Sequence, residues 1–353
     1  MNKVAVRVLV LVLVVAAIVA VAVATRTREG DKKEGVPAPT GLLVQMIGGK
    51  PGAWNLKERM DGFAEIVKGT EVVLADIQYN QENPDTALQV AESVINAQPG
   101  LRGFFCSNAF AGPGAALAIK GAIQRGKLKE GQVRVVAFDT TDDILDFIEQ
   151  GVIACTLAQN TAEMGRIAIE KLMEFAAQYR EKKAFDRPSK GKDIIDTGVS
   201  VVTKAEVSKY RAKPPTKTEP VADPKFRFAL VPKSIGHPYW EGVREGMNVA
   251  AARLGVHAVF QGPPEASIEE QIRVIEGLMA QGYDGIAISP NDPDAVKEII
   301  KRAMAKGIAV VTFDSDSPDS ERLVYIGTDN REAGRVGARQ MLKLLGLKQP
   351  GEK

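Results

Sequence analysis

Apolar positions in residues 41–202 alternate between two spacings, a short unbroken run and then a longer stretch where they recur every third or fourth residue. The run 41–48 (GLLVQMIG) meets a glycine-rich turn. After it, 54–67 carries Leu56, Met60, Phe63 and Val67 at helical spacing. The pattern repeats at 72–78 and 86–98, at 103–107 and 114–125, at 133–138 and 142–150, and at 153–158 and 162–180. Five strand-helix units in succession predict a parallel sheet with helices on both faces, and right-handed crossovers make it a doubly wound lobe. A charged loop over 180–192 leads to a last expected strand over 193–202 (DIIDTGVSVV).

The rhythm stops at 203–225. Pro214, Pro215, Pro220 and Pro224 stand there among lysines with almost nothing to bury, which predicts an extended linker. It then restarts, with strands at 227–231, 257–260, 285–289, 309–313 and 324–327 and helices at 238–254, 268–280, 294–305 and 331–345. The expected fold class is therefore α/β, with two doubly wound parallel-sheet lobes.

The amino terminus follows neither pattern. Val8 to Thr25 is 18 residues without a charge, set between Arg7 and Arg26. Residues 1–30 read as a signal peptide, with an A-x-A site at Ala22 to Ala24, or as a retained membrane anchor. A tether over 31–40 follows. Either way the lobes are expected outside the cytoplasm, in the periplasm or on the outer face of the cell membrane.

Composition narrows the function. The formal net charge is +2, so no polyanionic partner is called for and nucleic acid is disfavoured. Cys106 and Cys155 are the only cysteines and read as buried, inert thiols; His237 and His257 are the only histidines. With so few ligating side chains, no metal, no cofactor and no catalytic triad is expected, and an enzyme is the least favoured class.

In doubly wound sheets ligands sit at the carboxyl ends of strands. The polar residues there are Arg59, Asn108, Asp139 and Gln159 in the first half, and 234–240 (SIGHPYW) and 314–317 (DSDS) in the second. Any one of these also reads as a helix cap or turn residue. Tyr239 and Trp240 adjoin a strand-to-helix turn in a chain with 6% aromatics; such rings suit the C–H face of a pyranose, although one of the two also fits as the helix's inward residue. His237 reads as a neutral hydrogen-bonding residue.

The segments FALVPKSIGHPYWEGVREGMNVAAARLGV, YDGIAISPNDPDAV and AVVTFDSDSPDSERLVYIGTDNREAG resemble the amino-terminal lobe of the ribose/galactose-type periplasmic sugar-binding proteins of ABC transporters. ERMDGF, INAQPGLRGFFCSNAFAGPGAALAI, VRVVAFDTTDDIL and GVIACTLAQNTAEMG resemble that family's carboxyl-terminal lobe. The lobes stand in reversed order, so the resemblance implies a circular permutation of the type I periplasmic binding protein fold, with 203–224 joining the former ends. It also implies a three-stranded hinge near 159–160, 192–195 and 328–330, and interleaved domains: 41–159 with 194–202 and 331–347, and 225–328 with 160–185.

The resemblance implies a sugar held between His237, Tyr239, Trp240 and Asp314 on one lobe and Arg59, Asn108, Asp139 and Gln159 on the other. Trp54 is an implied extra stacking surface, and Asp329 an implied hinge residue that touches ligand. Ala109 and Ser315 depart from the family's usual Asp and Arg, which speaks against ribose itself. The function implied is capture of a monosaccharide or similar polyol by hinge closure and delivery to an ABC transporter permease, by a monomer. A membrane-anchored sugar sensor is the second reading, and a LacI-type repressor core a third.

Overall fold

The computed structural model describes residues 41–189, 193–211 and 224–351. The expected signal or anchor over 1–30, the tether over 31–40 and most of the linker expected over 203–225 lie outside the described residues, and the described start of that linker forms a short helix over Val207–Tyr210 rather than extended chain.

The first sheet holds β1 (Leu42–Gly48), β2 (Val72–Leu74), β3 (Gln78–Tyr79), β4 (Leu101–Cys106), β5 (Arg134–Phe138), β6 (Cys155–Gln159) and β8 (Val199–Val202). Its order is β2-β1-β4-β5-β6-β8, with β3 also pairing β1, and only β8 runs antiparallel. The second sheet, β10-β9-β11-β12-β13-β7, is wholly parallel. Its strands are β7 (Ile194–Asp196), β9 (Arg227–Val231), β10 (His257–Phe260), β11 (Gly285–Ile288), β12 (Ala309–Phe313) and β13 (Tyr325–Gly327).

The helices are α1 (Trp54–Val67), α2 (Pro84–Ala97), α3 (Ala111–Gln124), α4 (Asp142–Glu149), α5 (Thr161–Lys182), α6 (Val207–Tyr210), α7 (Trp240–Leu254), α8 (Ile268–Ala280), α9 (Lys297–Ala305) and α10 (Asn330–Leu344). Local sequence fixes several of their starts. Asn83 accepts the Thr86 N–H at 2.9 Å ahead of Pro84, Ser267 accepts from Glu270 at 3.3 Å, and Asp329 accepts from Glu332 at 2.9 Å.

Two expected strands divide. The 72–78 run becomes β2 and β3, both on the same edge of β1. The 193–202 run, expected as one strand of the first lobe, becomes β7 in the second sheet and β8 in the first. The reason is partner choice: Ile194 and Ile195 find Tyr325 and Ile326, whereas Val199 to Val202 find Gln159 to Thr156. Between them Gly198 takes φ +78°, which lets the chain turn from one sheet to the other.

Each sheet carries a helix that follows a strand of the other. Helix α5 leaves β6, yet Ala168, Ile169, Leu172 and Phe175 are buried with β9, β11 and β12. Helix α10 leaves β13, yet Ala333, Ala338, Met341 and Leu342 pack with β1, β4 and β5. Glycines permit the close helix crossings. A Cβ on Gly334 would collide with the Arg59 carbonyl, and one on Gly246 with that of Ala162.

Candidate functional site

The carboxyl ends of the two sheets face each other across a cleft of about 980 Å³. Eight of the ten expected residues line it: Arg59, Asn108, Asp139 and Gln159 from the first sheet's side, His237, Tyr239, Trp240 and Asp314 from the second's. Trp54 and Asp329 do not. The half-buried Trp54 packs edge-on against Tyr325 with centroids 5.9 Å apart, and the exposed Asp329 caps α10.

On the first wall, Arg59 is 1% exposed, so its guanidinium must be paired within the protein or by a ligand. Its Nε donates to Asn330 Oδ1 at 2.8 Å and its Nη1 to the Ser107 carbonyl at 2.9 Å, while the plane lies 4.3 Å over the Phe138 ring. Nη2 is buried without a partner. Beside it Gln159 Nε2 donates to Asp139 Oδ1 at 2.8 Å, and Gln159 Oε1 is also buried and unpaired. Asn108 is held by a reciprocal amide pair with the fully buried Asn80, at 2.9 and 3.2 Å.

On the second wall, Asp314 Oδ1 accepts the Tyr239 hydroxyl at 2.7 Å and Oδ2 accepts the Ser289 hydroxyl at 2.8 Å. Lys233 Nζ stands 3.5 Å from Oδ2 and donates across the cleft to Asn55 at 3.4 Å. His237 Nδ1 accepts the Tyr239 backbone N–H at 3.0 Å, and its ring meets Phe110 of the opposite wall edge-on at 4.7 Å. Trp240 is the inward member of the aromatic pair: it is 4% exposed and touches Phe313 and Phe260.

Asp139 and Asp314 end equivalent strands, β5 and β12, and both take positive φ, +73° and +59°. That backbone form is uncommon outside glycine but tolerated by Asp, and it turns each carboxylate into the cleft rim. Burial, with the Asp314 charge as a smaller contribution, pushes the Asp139 carboxyl up; Arg59 and the Gln159 amide oppose it. Burial, then the Asp314 and Asp139 charges, hold the Tyr239 phenol well above its usual range, so it stays a donor. Cys106 and Cys155 are free and buried, and burial pushes the Cys155 thiol up to about 12 and Cys106 higher still. Among the described residues no group of three or more His, Cys, Asp or Glu could hold a metal.

Sequence reasoning missed Lys233, Asn80 and Phe110. A lysine one residue before an inspected strand end reads as solvated. Asn80 follows the separate strand β3, which reading 72–78 as one strand did not set apart from β2.

The family model for the periplasmic binding protein domain matches residues 29–180 and 228–352, and the chain belongs to that family, one of binding proteins rather than enzymes. It is 30% identical over 128 residues to the D-allose-binding periplasmic protein of Escherichia coli (strain K12), covering 34% of this chain and 41% of that one. It is 25% identical over 122 residues to the ribose import binding protein RbsB of Bacillus subtilis (strain 168), covering 35% and 40%. The chain thus spans less than half the length of these curated relatives. Among solved structures, an ABC transporter solute binding protein from Bacillus halodurans C-125 with bound myo-inositol superposes with TM-score 0.57 over 89% of this chain and 91% of that one, at 11% identity. The fold is therefore the two-lobed α/β fold of such proteins. A putative LacI-family repressor from Corynebacterium glutamicum shares it, with TM-score 0.52 over 86% of this chain and 91% of that one, at 11% identity.

Proposed function

We propose that the protein is an extracytoplasmic solute-binding protein that captures a monosaccharide or similar polyol in the interlobe cleft and delivers it to an ABC transporter permease. One observation carries this reading. Arg59 Nη2 and Gln159 Oε1 are buried and unpaired at the same rim as the Asp139 carboxylate, so a donor and two acceptors await a partner. Adjacent ligand hydroxyls, each both donor and acceptor, satisfy such a set. The fold alone does not choose transport over repression, because a repressor core shares it; the relatives named for allose and ribose favour the transport side.

The chain is a circular permutant in this reading, with 203–224 as the suture and three hinge crossings, at 159–161, at 328–329 and at 197–198 rather than the expected 192–195, because Ile194–Asp196 already pairs in the second sheet. The last two are bonded to each other: Thr197 N–H donates to the Gly327 carbonyl at 2.9 Å and Asp329 N–H to Asp196 Oδ1 at 2.9 Å. Tyr210 packs in the first lobe's core and Phe226 in the second's, as a suture requires. Leu345 and Leu347, after α10, pack against the core cluster that contains Val44 of β1 and Val72 of β2, which supports new ends opened at one place. Alignments confined to about a third of the chain are also what a reordered sequence yields.

Closure then works by completion. The first wall holds the open hydrogen-bonding set and the second lines the cleft with His237 and Tyr239, so the ligand gains all its contacts only in the closed form and shifts the equilibrium toward it. Isothermal titration against monosaccharides and inositols should show heat for at least one, lost in Arg59→Ala. Silence across the panel would overturn the reading.

A further inference from the structure

The two buried carboxylates of the cleft are equivalent in the fold and unequal in their bonding. A buried carboxylate oxygen that already accepts a hydrogen bond from the protein carries no penalty when a ligand offers it nothing. Asp314 has both oxygens occupied by protein hydroxyls, Tyr239 at 2.7 Å and Ser289 at 2.8 Å, with the Lys233 ammonium 3.5 Å away. Asp139 receives one side-chain donor, Gln159 at 2.8 Å, and no side chain among the described residues donates to its Oδ2. The unpaired buried groups, Arg59 Nη2 and Gln159 Oε1, both lie on the Asp139 side.

We propose that the Tyr239 hydroxyl is a specificity-determining group that keeps Asp314 committed to the protein, so the cleft reads ligand hydroxyls through the first lobe and makes no demand for one beside Asp314. This rests on the proposed sugar reading. The ligand class it defines is a monosaccharide for which one ring position, the one nearest Asp314, is free to carry hydrogen in place of hydroxyl.

The chemistry follows from what a missing hydroxyl leaves behind. A site whose buried acceptor depends on a ligand hydroxyl rejects the analogue lacking it by several orders of magnitude. Where the protein already fills that acceptor, the two analogues bind alike. Tyr239→Phe keeps the ring and removes the donor, leaving Asp314 Oδ1 empty in a site where Asp314 is only 4% exposed. A ligand hydroxyl then becomes the group that fills it.

The test is isothermal titration of the native protein and Tyr239→Phe with those members of the monosaccharide and inositol panel that the native protein binds, D-allose being the first tried, and with their monodeoxy analogues. Native protein should bind parent and analogue within about threefold at one ring position, and Tyr239→Phe should widen that gap to tenfold or more in favour of the parent. A gap of tenfold or more at every position in native protein overturns the proposal without reference to any variant. Equal rankings in native and Tyr239→Phe, with both proteins binding, overturn it while leaving the sugar reading intact. No heat from any member of that panel in the native protein overturns both.

Discussion

Asp139 differs from the usual paired carboxylate in the direction of its shift. Burial holds its pKa up against the pull of Arg59 and the Gln159 amide, so the folded protein binds this proton more tightly than the unfolded chain does. The resulting cost to stability is absent below the unfolded value of about 3.9 and develops as pH rises through the raised folded value. Asp139→Asn keeps the Oδ1 that accepts from Gln159 and suits the positive φ, so it should raise the unfolding temperature at pH 7. About 2–4 °C is expected for each kcal/mol relieved. The gain should shrink as pH falls toward 4, while sugar affinity drops at least tenfold. Thermal melts of both proteins at several pH values would measure it, and a gain independent of pH would refute the account. A related arrangement joins the walls: Arg59 donates to Asn330, whose amide reaches the Tyr325 hydroxyl at 3.3 Å, and that hydroxyl donates to the Asp314 carbonyl at 3.0 Å. A residue reading ligand on one lobe is thus positioned by the strand end of the other.

At the level of elements, one helix crossing inside each lobe ties the segment that arrives from the other lobe into its core. Helix α10 crosses α1 where Gly62 and Gly334 face the partner's backbone, and α5 crosses α7 at Gly165 and Gly246. Charged pairs flank the first crossing, with Arg331 on Glu58 at 2.7 Å and Arg335 on Glu65 at 2.8 Å, but exposed pairs of this kind contribute little each. The close approach is what fixes the geometry. Gly334→Ala drives a methyl into the Arg59 carbonyl and should destabilise by about 1–3 kcal/mol, the range for overpacking, while weakening ligand binding through Arg59. Gly277→Ala in α8 meets nothing within 4 Å and should instead stabilise by about 0.4–1 kcal/mol. Denaturant midpoints of the two variants should therefore move in opposite directions.

Strand-to-helix rhythm was legible in the sequence because unbroken apolar runs mark strands buried on both faces and 3.6-period stretches mark helices buried on one, and 54–67, 227–231 and 268–280 form as that spacing dictates. The division of 193–202 was not legible, since both halves are equally apolar and only their partners in space separate them. The cleft residues could be read for a topological reason: a doubly wound sheet brings strand ends to one rim whatever their side chains. Trp54 could not, because its neighbour Tyr325 lies 271 positions away and draws the ring out of the cleft.

For the whole molecule, the suture reading makes the chain order a matter of connectivity rather than of folding. The apolar contacts that hold α5 in the second lobe and α10 in the first cross any cut made in 212–223. A chain rewritten to begin at Lys225, continue through Gly351, join Gly41 by a short loop and end at Arg211 keeps those contacts. It also replaces one loop closure by another, and closure entropy changes only slowly with loop length. The rewritten protein should match the native one in sugar affinity within about threefold and in unfolding temperature within a few degrees, as a monomer by light scattering. Were 41–211 and 224–351 instead pieces that pair between chains, the native protein would scatter as a dimer, and the rewritten chain would fold only on association.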